Sequence, residues 1–188
     1  MVRIVLAGLV ALIVVNAPVA AEQGPRSALL RAGEQGMVEA QLLLGAQYLL
    51  GHGVARDPAA ARRWYERAAD QGDPKAQTIL GLLYIDGTGV AADPAQAVRW
   101  FRRAALQGSA EAQLSLGALY ADGEGVARDP IQAHMWLTLA VAKLPQNEYL
   151  MDALRMREVV ARNMTPDDIE EATRLARELR AVERQPGH

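Results

Sequence analysis

The residues that could do chemistry in this chain are few and scattered. Histidine occurs only at His52, His134 and His188, serine only at Ser27, Ser109 and Ser115, and cysteine is absent. A metal site needs several ligands at compatible spacing, and a nucleophilic triad needs serine, histidine and carboxylate brought together. No histidine here has a second histidine or a carboxylate cluster at metal-ligand spacing. Without thiols there is no disulfide framework, thiolate ligand, cysteine nucleophile or cysteine-borne lipid anchor. Gly51-x-Gly53 has the look of a phosphate loop, but it follows a helical pattern instead of a strand and lacks the rest of that fingerprint. Ser109 is placed to cap a helix. The chain is therefore read as having no catalytic residue, no metal and no cofactor.

Of 188 residues, 20 are basic and 22 acidic, a net charge of -2. No global positive field favours nucleic acid. Met1-Val2-Arg3 gives a short positive start, and Ile4 to Val15 is an apolar run broken by Asn16 and Pro18. A membrane-spanning helix needs about 20 such residues, so the run is too short for a good anchor. Val19-Ala20-Ala21 puts small residues at the end. These zones in this order predict a signal peptide over 1–21, cleaved after Ala21. The mature chain is then periplasmic or secreted, with no membrane anchor.

The elements that must position everything else come from an internal repeat. Leu44-Gly45-x-x-Tyr48 returns as Leu80-Gly81-x-x-Tyr84 and Leu116-Gly117-x-x-Tyr120, 36 residues apart each time. The same offset carries Gly51-x-Gly53-Val54-x-x-Asp57-Pro58 to Gly87 through Pro94 and to Gly123 through Pro130. It also carries Ala61-x-x-Trp64 to Ala97-x-x-Trp100 and Ala133-x-x-Trp136. Units therefore run 37–72, 73–108 and 109–144. Each reads as two helices. Ala40, Leu44 and Tyr48 share one face of the first, which Gly51 stops; Asp57 caps and Pro58 opens the second. Gly45 and Ala61 allow close approach, with the tryptophan filling the space beside them. No stretch alternates with period two, so no strand is expected.

Residues 22–36 read as an N-terminal capping half-repeat, since Ala32, Gln35 and Gly36 match Ala68, Gln71 and Gly72. The segment 145–188 reads as capping helices and a frayed tail. One helix spans about 146–163 with Leu150, Leu154, Ala161 and Met164 on one side. The other follows Thr165-Pro166 with the stripe Ile169, Ala172, Leu175, Ala176, Leu179 and Val182. Met135, Leu137 and Leu139 replace polar or aromatic side chains of earlier units, which marks the third unit as the seat of that last helix.

The Ala-Gln-x-x-Leu-Gly-x-x-Tyr run, the glycine loop, Asp-Pro and Ala-x-x-Trp resemble the Sel1-like repeat, a relative of the tetratricopeptide repeat. That resemblance implies an all-α, right-handed α/α solenoid of helix-turn-helix units and a role in binding protein or peptide partners. In tetratricopeptide-like stacks the free face of the first helix lines a concave groove. Here that face carries Leu42, Ala46 and Leu49, then Thr78, Leu82 and Ile85, then Leu114, Ala118 and Ala121. A second surface is basic: Arg63 and Arg67 recur as Arg99 and Arg103, a patch for an anionic partner. Two other roles stay open. One is cell-wall or β-lactam chemistry of the kind associated with cysteine-rich Sel1 relatives, whose cysteines this chain lacks; the other is a structural subunit of an envelope secretion or polysaccharide-export complex.

Overall fold

A computed structural model describes residues 23–183; the expected signal peptide over 1–21 and the tail beyond Glu183 lie outside the described residues. The described residues form helices and no strand. In chain order they are α1 (Gln23–Glu34), α2 (Val38–Leu50), α3 (Pro58–Asp70), α4 (Pro74–Asp86) and α5 (Pro94–Leu106). Then follow α6 (Ala110–Asp122), α7 (Pro130–Val141), α8 (Glu148–Ala161) and α9 (Pro166–Glu183). Consecutive helices pack on one another through α8, giving the right-handed α/α solenoid.

Each boundary has a local cause. Asp57, Asp93 and Asp129 cap the second helices, accepting hydrogen bonds from Ala60, Gln96 and Gln132 at 2.9, 3.1 and 3.0 Å. Asp73 and Ser109 do the same for α4 and α6. The first helices stop at Gly51, Gly87 and Gly123, all left-handed with φ of 76, 70 and 73°. A side chain there would be strained, so glycine sets the stop. Each loop then closes when the Asp57, Asp93 or Asp129 amide donates to Tyr48, Tyr84 or Tyr120.

Within a unit the two helices meet at one glycine. A Cβ on Gly45 would come 2.7 Å from the Tyr65 ring, one on Gly81 2.5 Å from Phe101, and one on Gly117 2.7 Å from Leu137. The residue that fills this space is thus the one after the tryptophan. Tyr65, Phe101 and Leu137 are fully buried, whereas Trp64 and Trp100 are only half-buried. This corrects the expectation that tryptophan fills it. Trp64 packs instead against α1 of the half-repeat, near Gly33. Leu137, expected beneath the last helix, faces Gly117 inside its own unit.

Units are joined by two devices. Gln41, Gln77 and Gln113 are buried, and each donates to a carbonyl eight residues earlier, on Gly33, Ala69 and Ala105. Within each unit Gln71 and Gln107 then hold those amides in place, donating to Gln41 and Gln77, both at 2.8 Å. The second loop glycine supplies the other device. A Cβ on Gly89 would overlap the Pro58 carbonyl, and one on Gly125 the Pro94 carbonyl, while one on Gly53 would meet nothing within 4 Å.

The third unit breaks the glutamine pattern. Lys143 stands where Gln71 and Gln107 stood and pairs with Glu183 at 2.6 Å; Glu183 also accepts from Gln113. That pair ties the end of α9 to the third unit. A capping box of Thr165 and Asp168 starts α9, and the bonds that the Thr165 amide and hydroxyl donate to the Asp168 carboxyl hold it below its ordinary range. Ala172 and Ala176 are buried, with Leu175 and Leu179 packed beside them, so the helix folds back against α7 as a cap. Val182, counted in its apolar stripe, is 67% exposed, because the stripe has turned away from α7 by the last turn. In α8 the inward face is also rotated from expectation. Tyr149 and Ala153 are buried and the expected Leu150 and Met164 pack beside them with Met156 and Val160, while Leu154 and Ala161 line an open cleft. The aromatic ring of Tyr149 takes the interior position and turns the helix with it.

Two substitutions test this packing. Phe101→Ala removes a fully buried ring and should cost about 3–5 kcal/mol in chemical denaturation. Trp100→Ala, at a half-buried position, should cost clearly less; equal losses would mean the ring–glycine contact does not close the unit. Gly89→Ala and Gly53→Ala carry the same backbone strain, at φ of 72 and 69°. Only the first also meets the neighbouring unit, so it should lower the melting temperature more.

Candidate interaction surface

The structure corrects the groove. Ala46, Leu49, Thr78, Leu82, Ile85, Leu114 and Ala118 are buried, and only Leu42 and Ala121, one in the first unit and one in the third, remain partly exposed. Successive units cover this face. Ala46 and Leu49 share a cluster with Ile79 and Leu83, and Leu82 and Ile85 share one with Leu114 and Ala118. The Thr78 and Ser109 hydroxyls lie 3.2 Å apart across the same junction. A helix apolar on two sides has buried both, so a partner has no access to these seven side chains in the folded stack.

The basic columns lie on the surface. Arg63, Arg67, Arg99 and Arg103 are all exposed. The Arg67 guanidinium sits 4.5 Å from the centre of the Trp64 ring, and Arg103 sits 4.7 Å from that of Trp100. Stacking holds the charge in place while the edge of the fork stays open to an anion. The neighbouring arginines are otherwise engaged: Arg62 pairs with Glu66, and Arg102 donates to the Tyr120 hydroxyl while lying over its ring. Arg31, one unit before Arg67 in the same column, is also exposed. The half-repeat alignment contains that signal, through Ala32 matching Ala68. Leu106 is half exposed one turn beyond Arg103.

Beside α8 lies an open cleft of about 600 Å³ lined by His134, Met151, Leu154, Arg155, Arg157, Glu158 and Ala161. His134 is buried with its Nδ1 unpartnered, and burial, helped by the nearby Arg157 charge, lowers its pKa below the ordinary 6.5. Its ring is therefore neutral. The serines have other work: Ser109 caps α6, and the Ser115 hydroxyl donates to the Glu111 carbonyl. His52 is exposed on its loop. Among the described residues no group of three or more His, Asp or Glu is placed to hold a metal ion.

A Sel1 repeat model matches residues 38–73, 74–109 and 110–143, more than half of the chain. The chain belongs to the Sel1 repeat family. Its structure is similar to that of c5321, a protective antigen present in uropathogenic Escherichia coli strains that displays an SLR fold. The TM-score is 0.71 at 30% identity, covering 86% of this chain and 36% of that one, so this chain spans only about a third of that protein. It is also similar to a Sel1 repeat protein from Oxalobacter formigenes, with TM-score 0.64 and 34% identity over 72% of this chain and 98% of that one. No curated protein matches the chain. Sel1 repeats are generally non-catalytic scaffolds for protein–protein interaction. The recurring residues of this Sel1 chain fit that description, because the glycines, caps, rings and glutamines all serve packing.

His134 gives a pH test. Its folded pKa lies below the unfolded value, so the unfolded chain takes up the proton first. Its contribution is complete above about 6.5, the ordinary histidine value, and is lost as pH falls from there toward the folded value. The melting temperature should drop over that window, and His134→Gln should flatten the drop. An unchanged slope would show that another group governs it.

Proposed function

We propose that this protein is an exported, non-enzymatic scaffold, periplasmic or secreted, that binds a protein or peptide partner. The observation that supports it best is how the repeat residues are used. The recurring positions of the three units are taken up by helix caps, ring–glycine contacts and glutamine bridges. What is left to vary is exposed surface, and on that surface the side chains suit recognition: stacked arginines, half-buried tryptophans and Leu106. Export rests on the Arg3, apolar-run and Val19-Ala20-Ala21 order of the first 21 residues.

The test uses the full chain in its own host. Mass spectrometry of the envelope and culture fractions should find a mature protein beginning at Glu22. A photo-crosslinking side chain placed in turn at exposed positions should give discrete adducts at some and none at others. An intact leader on a cytoplasmic protein would sink the export reading, and absence of adducts at every position would sink the scaffold reading.

A further inference from the structure

We propose that the outer face of the first two units docks an acidic amphipathic helix of a partner protein, laid there much as α9 lies on the third unit. The inference rests on the scaffold reading and names its surface and partner class. Three observations carry it.

The first is an internal precedent. Met135 and Leu139 form one stripe of α7, which Ala142, the residue that caps its C-terminus, continues at i+7. Ala142 and Lys143 line a cavity of about 430 Å³ with Gln107, Gly108 and, from α9, Arg180 and Glu183. Met135 and Leu139 are buried. This stripe is thus the side of α7 that receives α9. One unit earlier the same positions are Arg99, Arg103 and Leu106, and Gln107 stands where Lys143 stands. Among the described residues no helix buries them, and all four are exposed, although α5 has the backbone geometry and start of α7.

The second is charge. Where the chain's own helix docks, the stripe is apolar; where none docks, it is basic. Helix α5 contains no acidic residue at all, and among the described residues no carboxylate lies within ion-pair distance of Arg99 or Arg103. Arg63 and Arg67 extend the basic columns onto the first unit, although Asp70 replaces Leu106 there. The apolar contact therefore belongs to the second unit, beside α9, and the first unit adds charge alone. An acidic helix with an apolar stripe matches both.

The third is pre-organisation. Arg67 and Arg103 are already held over Trp64 and Trp100, which reduces the entropy lost when a carboxylate pairs with them. The net charge of -2 opposes an extended polyanion or an anionic membrane, which would face the whole molecule. A single helix meets only the local basic face.

The probe is a fluorescein-labelled helical peptide the length of α9, with leucine at i, i+3, i+4 and i+7 and glutamate on both flanks. Anisotropy with the full mature protein should show saturable binding that weakens with salt. Arg99→Gln with Arg103→Gln should weaken it by about tenfold or more at unchanged melting temperature, and Arg155→Gln, beside α8, should leave it unchanged. Trp100 emission should shift on binding as the peptide covers the Arg103–Trp100 pair. The proposal is overturned by no saturable binding, by equal binding of a scrambled peptide of the same charge, or by indifference to the arginine pair. Binding of phosphatidylglycerol vesicles through these arginines in place of the peptide would also overturn it, in favour of a membrane surface. If host crosslinks persist at other positions while the peptide fails, the scaffold reading stands and this face alone is wrong.

Discussion

Everything in the stack depends on two helices approaching closely enough for a ring to lie on a bare Cα. At Gly45 and Gly81 the partner ring occupies the volume a Cβ would need, and at Gly117 a leucine does so. That contact sets the distance between first and second helices, which sets where the loop glycines and the Asp-Pro caps fall. It also explains why the ring is Tyr65 in one unit and Phe101 in the next. The Tyr65 hydroxyl is buried without a partner, and burial pushes its phenol pKa up, so the site selects for the ring and gains nothing from the oxygen.

With each unit closed in this way, its neighbours must be recognised by something that repeats at the same period. The glutamine bridges do this. A buried amide that both donates to one carbonyl and accepts from the next glutamine fixes register more strictly than apolar contact, because a slipped unit would leave it unpaired. The stack ends where this exchange is interrupted. Lys143 donates to Glu183 of α9 where Gln71 and Gln107 donate to a glutamine, and the Gln113 oxygen is left without a partner. The cap is thus written into a single change of residue type at one repeated position.

The period, the helix limits and the caps were legible in the sequence because each rests on local residues: glycine for a left-handed stop, Asp-Pro for a start, Thr165 for the final cap. Which ring filled the glycine gap was not. Trp64 and Tyr65 are adjacent, and choosing between them takes the rotation of one helix on another, which a 3.6-residue pattern resolves only to within a residue. The groove failed for a different reason. A first helix apolar on both faces is equally consistent with a partner's groove and with the next unit, and the pattern of Leu82 and Ile85 contains nothing to separate them. The basic columns were legible as columns, whereas the stacking of Arg67 and Arg103 on tryptophan needed coordinates.

A solenoid that uses its first-helix faces internally must recognise partners elsewhere, and this narrows where specificity can reside. In a repeat array each unit contacts only its neighbours, so the positions free to diverge are those facing neither the partner helix nor the next unit. In the second helices these are the columns of Arg63, Arg67, Arg99 and Arg103. The third unit shows that the same columns tolerate Met135 and Leu139 without loss of the unit's own Leu137–Gly117 contact. Surface chemistry can therefore change from basic to apolar in one unit while the scaffold beneath keeps its geometry. That independence lets one backbone serve both as a seat for its own cap and as an open, charged face beside it.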